Sequence, residues 1–258
     1  MKEPVISLQS VGKRFDSGLL ALHGVSLDLH DGEFVSLLGP SGCGKSTVLR
    51  LVAGLDRASE GTVHAPARSR DGAADTAFVF QEPTLMPWAS VFDNVWLPLR
   101  LAGASRAAAK KPVQAALRRV GLADFHMAYP AELSGGMKMR SSIARALVTQ
   151  PRVMLMDEPF AALDEFTRHQ LNDDLLGCWQ GQRFAALFVT HSVFESVFLS
   201  QRVLVMGARP GRIVAEIVVD EPYPRHSAFR SSPRFIAWCG ELSAALEAAQ
   251  MASAGVAA

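Results

Sequence analysis

The sequence predicts an α/β fold: a parallel core sheet, an antiparallel β segment at the start of the chain, and a helical insertion in the middle. Two continuous apolar runs, PRVMLMDEP (residues 151–159) and RFAALFVTH (residues 183–191), each end in polar residues. Such runs are typical of central parallel strands that are buried on both faces. The amphipathic segment between them, DEFTRHQLNDDLLGCW, fits the helix that must cross from one parallel strand to the next.

The first third of the chain reads as strands followed by a helix. VISLQSV and GVSLDLHDGEFVSLLG contain short alternating segments with a turn signal at Asp31-Gly32, so we expect antiparallel strands that lead into a buried strand, FVSLL. Glycines follow, and then STVLRLVAGL is predicted to be a helix that stops at Gly54. TAFVFQ is predicted to be a further strand.

The remaining elements follow from the same patterns. From Glu82 to about Gln150 the pattern is helical, in the segments SVFDNVWLPLRLAG, SRAAAKKPVQAALRRVGL and the stretch after Ser134. RVLVMG and RIVAEIVVD are predicted late strands, and SPRFIAWCGELSAALEAA is a predicted final helix. We expect the tail MASAGVAA to be disordered.

Composition limits the class of protein. The 258 residues are 20% charged with a formal net charge of +1, so no global attraction to nucleic acid or anionic lipid is expected. The three cysteines are odd in number and far apart, which favours a reducing compartment over a disulfide framework. No segment resembles a signal peptide, and no apolar run approaches the roughly 20 residues that span a bilayer. We therefore expect a soluble cytosolic protein, which leaves docking onto a membrane protein open.

A phosphate-binding loop is predicted between the buried strand and the first helix. GPSGCGKS matches G-x-x-x-x-G-K-[ST], in which glycines let several N–H groups point at one phosphate chain. Lys45 would reach the β and γ phosphates, and the Ser46 hydroxyl would bind Mg²⁺. The alternative, a glycine-rich structural turn, explains neither the strand before nor the helix after. The predicted nucleotide-binding residues are Gly39, Pro40, Ser41, Gly42, Cys43, Gly44, Lys45, Ser46 and Thr47.

Acidic residues follow a predicted buried strand. Asp157 would hold magnesium through water, and Glu158 would orient and polarise the attacking water for in-line displacement at the γ-phosphate. A pair of solvated acids that caps a loop before Pro159 is the alternative. Their position after four apolar residues, in a chain with an intact phosphate loop, favours the catalytic interpretation.

Two further polar residues stand at the ends of predicted strands. His191 ends an apolar run, where ligands gather in parallel sheets, and it could donate to the γ-phosphate and hold Glu158 and the water in line. A loop or helix-cap residue is the alternative for this histidine. Gln81 could bind Mg²⁺ or the attacking water, although it carries no signal by itself.

A second possible anion site lies at Leu133-Ser134-Gly135-Gly136, just before a predicted helix. A hydroxyl and bare backbone amides at a helix start favour an anion such as phosphate. Together with the motifs above, this stretch resembles the signature of ABC transporter ATP-binding subunits. The order of motifs also fits, and the resemblance extends from about Val5 to Val219.

The resemblance implies a P-loop NTPase fold with a RecA-like parallel core sheet, an antiparallel β subdomain and an α-helical signature subdomain. It implies one cassette over residues 1–258: a core with β subdomain at about 5–81 and 151–219, a helical subdomain at about 82–150, and a C-terminal helix and tail at about 220–258. By the same likeness Phe15 would stack on adenine, although by itself it reads as a core residue. Asp164 would lie at a dimer interface.

In the family, two subunits pack head to tail, so that Ser134, Gly135 and Gly136 would cover an ATP held by a second copy or a homologous subunit. The motifs look most like importers of nitrate, sulfonates and taurine, which implies ATP and Mg²⁺ as ligands, a transmembrane permease and an external solute-binding protein as partners, and a peripheral place on the cytoplasmic face of the inner membrane. Met137, Ser192 and Gln201 depart from the commonest family residues, and none of these departures removes a catalytic group.

The loop PTLMPWAS, residues 83–90, leaves two interpretations open: a buried hydrophobic staple, or part of a groove that receives a permease helix. Two other functions for the whole chain have weaker support in the sequence. A non-transport ABC ATPase usually carries two cassettes and a basic linker, whereas this chain has one cassette and a near-neutral charge. A P-loop kinase or GTPase lacks the signature, and no acceptor-binding lid is evident here.

Overall fold

A computed structural model of the chain describes residues 3–66 and 75–254. The chain divides into two compact units: the first consists of the residues up to Pro66 together with those from Ala185 onward, and the second runs from Ala67 to Phe184. The strands of the described residues are β1 (Ile6–Arg14), β2 (Leu20–Leu29), β3 (Phe34–Leu38), β4 (Glu60–His64), β5 (Thr76–Val79), β6 (Val153–Asp157), β7 (Ala185–Thr190), β8 (Arg202–Gly207) and β9 (Arg212–Val218). The α-helices of the same residues are α1 (Lys45–Val52), α2 (Val91–Leu101), α3 (Arg106–Arg119), α4 (Gly135–Leu147), α5 (Glu165–Gln182), α6 (Val193–Leu199) and α7 (Pro233–Ala254).

The first unit contains the predicted antiparallel segment. β1 pairs with β2 and β4 in a sheet of order β2-β1-β4. Gly32, at a φ of +70°, turns the chain toward β3, as the Asp-Gly signal predicted. β4 was not predicted, because four of its five residues are exposed and it shows no alternation of apolar and polar residues. Its pairing with β1 is the only feature that identifies it as a strand.

The parallel strands of the first unit follow the order β7-β3-β8, with β9 antiparallel to β8 at one side. β3 and β7 are buried along their whole lengths, as expected for strands covered on both faces. In this register Leu38 lies beside Thr190 on one side and beside Val205 on the other. The carboxyl ends of three strands therefore meet at one edge of the sheet.

The second unit contains a parallel strand pair and the predicted helices. β5 pairs with β6, and Val79 lies beside Met156. α2, α3 and α4 pack on one another, and α4 also contacts β5 and α5. Each α-helix in the described part of this unit begins after a side chain that accepts a backbone N–H: Ser90, Ser105, Ser134 and Asp164. The expected change to helical structure after Glu82 is confirmed.

The C-terminal segment packs on the first unit. The guanidinium of buried Arg225 donates to the carbonyls of Val197, Phe198 and Ser200 at 2.8–3.1 Å, which satisfies the end of α6. The expected disorder of the tail is wrong at its start, because α7 continues through Ala254. Alanine-rich sequence favours the continuation of a helix. Residues 255–258 lie outside the described residues.

Candidate functional site

The phosphate loop, residues 39–46, joins β3 to α1. Gly42 and Gly44 adopt left-handed φ angles of +76° and +99°, and Gly44 is the N-cap of α1. Residues other than glycine rarely adopt these backbone angles. The first N–H groups of a helix have no acceptor within the helix, so this backbone leaves donors at the start of α1 for an anion.

Lys45 supplies the charge of this loop. Its side chain is only 4% exposed, and its Nζ donates to the carbonyl oxygens of Gly39 and Pro40, both at 2.9 Å. A buried ammonium is tolerated because these hydrogen bonds replace water. The loop therefore holds the ammonium against its own backbone, and the expected contact of Lys45 with the β and γ phosphates remains a prediction.

Close packing explains Gly39. A Cβ at this position would lie 2.8 Å from both the Cys43 Sγ and the Met206 carbonyl oxygen. The Cys43 side chain is buried inside the loop, and its N–H donates to the Pro40 carbonyl at 3.3 Å. Cys43 thus shapes the loop, and its thiol does not face outward.

His191 lies at the same sheet edge as this loop, since Thr190 pairs with Leu38. Its side chain is exposed, and the backbone on either side is fixed: Thr190 Oγ1 accepts from the Ser192 N–H at 2.9 Å and donates to the buried carboxylate of Glu195 at 2.5 Å. Ser192 is the N-cap of α6. His191 is therefore not the helix cap, but it does lie in the loop between β7 and α6, as the other half of that alternative expected.

Thr190 and Glu195, which fix the backbone around His191, were not among the predicted site residues. The available signal was a hydroxyl residue directly before the histidine and an acid four residues after it. That spacing would let one side chain bond across the start of a helix.

Phe15 lies just after β1 and is 37% exposed, so the interpretation of this residue as core is wrong. The ammonium of Lys13 lies 5.1 Å from the ring centroid and forms an ion pair with Asp56 at 2.6 Å. The hydrogen bond from Lys13 lowers the pKa of the Asp56 carboxyl. A cation near the ring and a partly exposed ring leave Phe15 suited to stacking.

In the second unit, Asp157 is the last residue of β6, Glu158 follows it, and Gln81 lies two residues after β5. Because Val79 lies beside Met156, these residues lie at one edge of the β5–β6 pair, as predicted. Asp157 and Glu158 are half-buried, and Glu158 has a left-handed φ of +44°. This conformation costs about 1–3 kcal/mol for a residue other than glycine and is concentrated at functional sites. It favours the catalytic interpretation of Glu158 over a solvated loop cap.

The signature segment, residues 133–136, leads into α4. Ser134 is the N-cap of α4, and the Ser134 Oγ accepts a hydrogen bond from the Met137 N–H at 3.3 Å. A Cβ on Gly136 would meet Thr167 Cγ2 of α5 at 2.7 Å, whereas a Cβ on Gly135 would meet Leu163 Cδ2 at an ordinary 3.5 Å. Packing therefore requires a glycine at position 136 and does not require one at 135.

Asp164 lies close to the signature segment through the same contact with α5. It is the N-cap of that helix and accepts from the Thr167 N–H at 2.9 Å. Hydrogen bonds from Thr167 lower the pKa of the Asp164 carboxyl. Asp164 thus has a capping role in this unit, and its expected place at a dimer interface remains a prediction.

The donor set predicted for Mg²⁺ consists of the Ser46 hydroxyl, the Gln81 amide oxygen and the Asp157 carboxylate. Among the described residues, no three His, Cys, Asp or Glu side chains are grouped to hold a metal ion. Mg²⁺ prefers oxygen donors and usually keeps several waters while it binds one or two carboxylates and substrate phosphates. A hydroxyl, an amide and one carboxylate fit that mode of binding.

The 83–90 loop is held in place and exposes an aromatic side chain. The buried Asn94 side chain accepts from the Met86 N–H at 2.7 Å and donates to the carbonyls of Ala89 and Ser90, both at 3.0 Å. Trp88 is 77% exposed, so the staple interpretation is wrong for this residue. A cavity of about 320 Å³ lies in the same unit, lined by residues that include Phe78, Phe80, Thr84, Leu97, Leu101 and Arg145.

The two glycines of the signature segment should respond differently to alanine. Gly136→Ala should lower the free energy of unfolding by about 1–3 kcal/mol, because its Cβ overlaps Thr167. Gly135→Ala should leave stability unchanged or raise it by up to about 1 kcal/mol, since alanine favours helix. Urea denaturation measures both. Thr167→Ser, which removes the overlapping methyl, should restore the Gly136→Ala variant; no recovery would contradict the packing explanation.

The sequence matches a family model and several known proteins. The family model for ABC transporters matches residues 22–161, more than half of the chain. The chain is 42% identical over 243 residues to the nitrate import ATP-binding protein NrtD of Synechocystis sp., covering 92% of this chain and 91% of that protein. It is 46% identical over 208 residues to the taurine import ATP-binding protein TauB of Rhizobium johnstonii (80% and 79%) and 42% identical over 234 residues to the aliphatic sulfonates import ATP-binding protein SsuB of Bacillus licheniformis (89% of each).

Solved structures show the same fold. The dimeric structure of MJ0796, described as a bacterial ABC transporter cassette, is 31% identical and superposes with a TM-score of 0.72, covering 84% of this chain and 100% of that one. A post-hydrolysis state of MJ0796 bound to ADP and Pi superposes with a TM-score of 0.71 at 30% identity, with the same coverage. These matches confirm the predicted P-loop NTPase fold. Among the described residues, no helix is both long and apolar enough to cross a membrane. The phosphate loop, the signature segment and these matches together show that the chain belongs to the ABC transporter family, as one of its ATPase subunits.

Proposed function

We propose that this chain drives the import of a small solute of the nitrate, sulfonate or taurine kind, by binding and hydrolysing ATP at a head-to-tail dimer interface. The import-type relatives support the transport part of the proposal, and the observation that carries the head-to-tail dimer is Gly135. A glycine in the first turn of a helix costs stability relative to alanine, and neither packing nor a left-handed φ requires it here. Close approach of a group from outside this copy of the chain is the remaining reason for a bare backbone.

In this proposal each copy holds one ATP by its phosphate loop. The N–H groups at the start of α1 and the Lys45 ammonium bind the β and γ phosphates. Phe15 stacks on the adenine. Ser46, Gln81 and, through water, Asp157 would hold Mg²⁺, which when bound neutralises charge on the β and γ phosphate oxygens.

Glu158 is the general base in this scheme. Water attacks the γ-phosphorus in line, the bond to the oxygen that bridges β and γ phosphorus breaks, and the proton of the attacking water passes to the Glu158 carboxylate. ADP and inorganic phosphate are the products. His191 donates to a γ-phosphate oxygen, and Gln81 orients the attacking water.

Glu158→Gln should retain ATP binding and lose about 10²–10⁴-fold in turnover, because an amide cannot accept the proton of the attacking water. Phosphate release measures the turnover, and equilibrium binding of labelled ATP measures the affinity. Glu241→Gln, the same chemical change at an exposed position of α7, should behave like the unmodified protein. Turnover of Glu158→Gln near the unmodified rate would refute its role as base.

The signature segment serves the nucleotide of the partner copy in this scheme. Gly135 and Gly136 contribute N–H groups at the positive end of the α4 dipole, and Ser134 contributes its hydroxyl. Binding of ATP then closes the dimer and hydrolysis opens it. The presence of the γ-phosphate therefore decides whether the dimer is closed or open. A homologous subunit in place of a second copy would present the same segment.

A mixed dimer tests this arrangement. One chain carries Lys45→Ala and the other Gly135→Asp, and both carry Glu158→Gln so that bound ATP is not hydrolysed. If each signature segment acts on the nucleotide of the partner chain, one of the two sites contains both Lys45→Ala and Gly135→Asp. The other site then contains neither substitution. The differently tagged heterodimer should then trap one ATP after gel filtration, while each parent homodimer traps none.

Both chains must be folded and dimeric for this result to count, which melting curves and the elution volume establish. Retention of stability by Gly135→Ala indicates that position 135 itself tolerates a side chain. No trapped nucleotide in an intact heterodimer means that each site takes its signature from its own chain. The trans arrangement would then be rejected.

The 83–90 loop is the surface that we propose for the transmembrane permease. Trp88 is exposed while Asn94 fixes the backbone around it, so little ordering would be needed on docking. The neighbouring apolar cavity fits side chains of a short amphipathic helix. An external solute-binding protein would reach this chain only through the permease, and the chain would lie on the cytoplasmic face of the inner membrane.

Trp88→Ala should weaken assembly with the permease by about 2 kcal/mol, roughly 30-fold in Kd, as expected for an aromatic hot spot. The melting temperature should not change, because the side chain is 77% exposed. Co-purification with the cognate permease over a range of concentrations measures the loss. Leu55→Ala, at a 58% exposed apolar residue of the first unit, should not affect assembly. Equal assembly of both variants would exclude the loop as the docking surface.

The alternative function is a non-transport ABC ATPase that acts as a nucleotide-switched binding module. The exposed, preformed 83–90 loop and the import-type relatives favour transport, and the net charge of +1 gives no support for a nucleic-acid partner. Co-purification with a hydrophobic permease, or with ribosomes or DNA, separates the two functions.

A further inference from the structure

Arg145 connects the signature helix to the 83–90 loop. It lies on α4, about three turns after the N-cap Ser134. Its guanidinium donates to the Pro83 carbonyl and the Thr84 carbonyl, both at 2.8 Å, and to Thr84 Oγ1 at 2.9 Å. A planar guanidinium can bind three acceptors at fixed angles, so the contact defines both the position and the orientation of the loop.

Thr84 shows that this contact holds the loop in a specific shape. Its φ is +47°, and a β-branched residue rarely adopts that left-handed conformation. A strained backbone persists only where its surroundings determine it, and here the surroundings are three hydrogen bonds from one charged side chain. Burial lowers the pKa of the Arg145 guanidinium, but arginine remains charged at neutral pH.

The loop has a second anchor on a different helix. Asn94 of α2 is fully buried and binds the backbone of Met86, Ala89 and Ser90. The first part of the loop is therefore fixed to α4 and the last part to α2. A displacement of α4 relative to α2 must strain or move the loop between the two anchors.

We infer that Arg145 is a positioning residue that transmits movement of the signature end of α4 to Pro83 and Thr84. An α-helix is stiff over this length, so its N-terminal turn and Arg145 move together. The inference rests on the proposed closure of a head-to-tail dimer by ATP. It adds to that proposal a defined connection between the signature segment and the surface proposed for the permease, through hydrogen bonds within one unit.

Hydrogen exchange measures the connection in the intact dimer without the permease. In the Glu158→Gln background, the amides of residues 84–89 should exchange more slowly with Mg²⁺ and ATP than without nucleotide. Arg145→Lys keeps the charge but cannot bind three acceptors. It should reduce the ratio of the two exchange rates by roughly threefold or more, within the range known for mutations that alter coupling.

Arg140→Lys is the matched control. Arg140 lies on the same helix and binds the Val120 carbonyl at 3.0 Å and Asp174 at 2.5 Å, outside the loop. It should leave the exchange ratio of residues 84–89 unchanged. Slowing of exchange at the start of α4 by ATP should persist in both variants, because neither change touches the signature segment.

The effect of Arg145→Lys on the exchange ratio distinguishes coupling between α4 and the 83–90 loop from simple stabilisation of that loop. If Arg145→Lys speeds exchange equally with and without ATP, the ratio is preserved, the contact only stabilises the loop, and the inference is overturned. If the Glu158→Gln parent traps no ATP, the proposed function fails instead. If the Arg145→Lys variant does not fold, as shown by loss of its melting transition, Thr84→Val is used in its place. Thr84→Val removes one acceptor of the Arg145 guanidinium at an exposed position. A reduced exchange ratio in this variant supports the inference, and an unchanged ratio refutes it.

Discussion

The pairing of β3 with β7 and β8 is the constraint on which the first half of the site depends. Leu38 lies in register with Thr190 and Val205, so the phosphate loop and the His191 segment leave the sheet at the same edge. A shift of one residue would turn every side chain of a buried strand to the opposite face. Apolar burial of the strands thus fixes where the polar groups of the phosphate loop and of the His191 segment lie.

The glycines of the phosphate loop and of the signature segment are present for different reasons. Gly42 and Gly44 adopt left-handed backbone angles, Gly39 faces the Met206 carbonyl, and Gly136 faces a methyl group of α5. Gly135 has no such requirement. The signature motif therefore combines a glycine that folding requires with one that packing does not require, and only the geometry separates them.

Buried and half-buried polar side chains hold the backbone of the functional loops. Asn94 and Arg145 fix the 83–90 loop from α2 and α4, and Glu195 with Thr190 fixes the backbone around His191. In each case a side chain with several donors or acceptors replaces hydrogen bonds that irregular backbone cannot make to itself. Loops held in this way can present exposed side chains such as Trp88 and His191 in one arrangement, which lowers the entropy lost on binding.

The sequence by itself determined the order of the strands and helices other than β4, the phosphate loop and the signature segment. It could do so because these features depend on neighbours along the chain: a continuous apolar run, a helix cap, or a glycine at a fixed spacing. The tertiary structure decided that β4 is a strand and that Phe15 and Trp88 are exposed. It also decided that Arg145 donates hydrogen bonds to Thr84, a loop residue 61 positions away in the sequence. An edge strand, an exposed aromatic and a long-range hydrogen bond leave no periodic trace in the sequence, because each depends on which distant surfaces pack together.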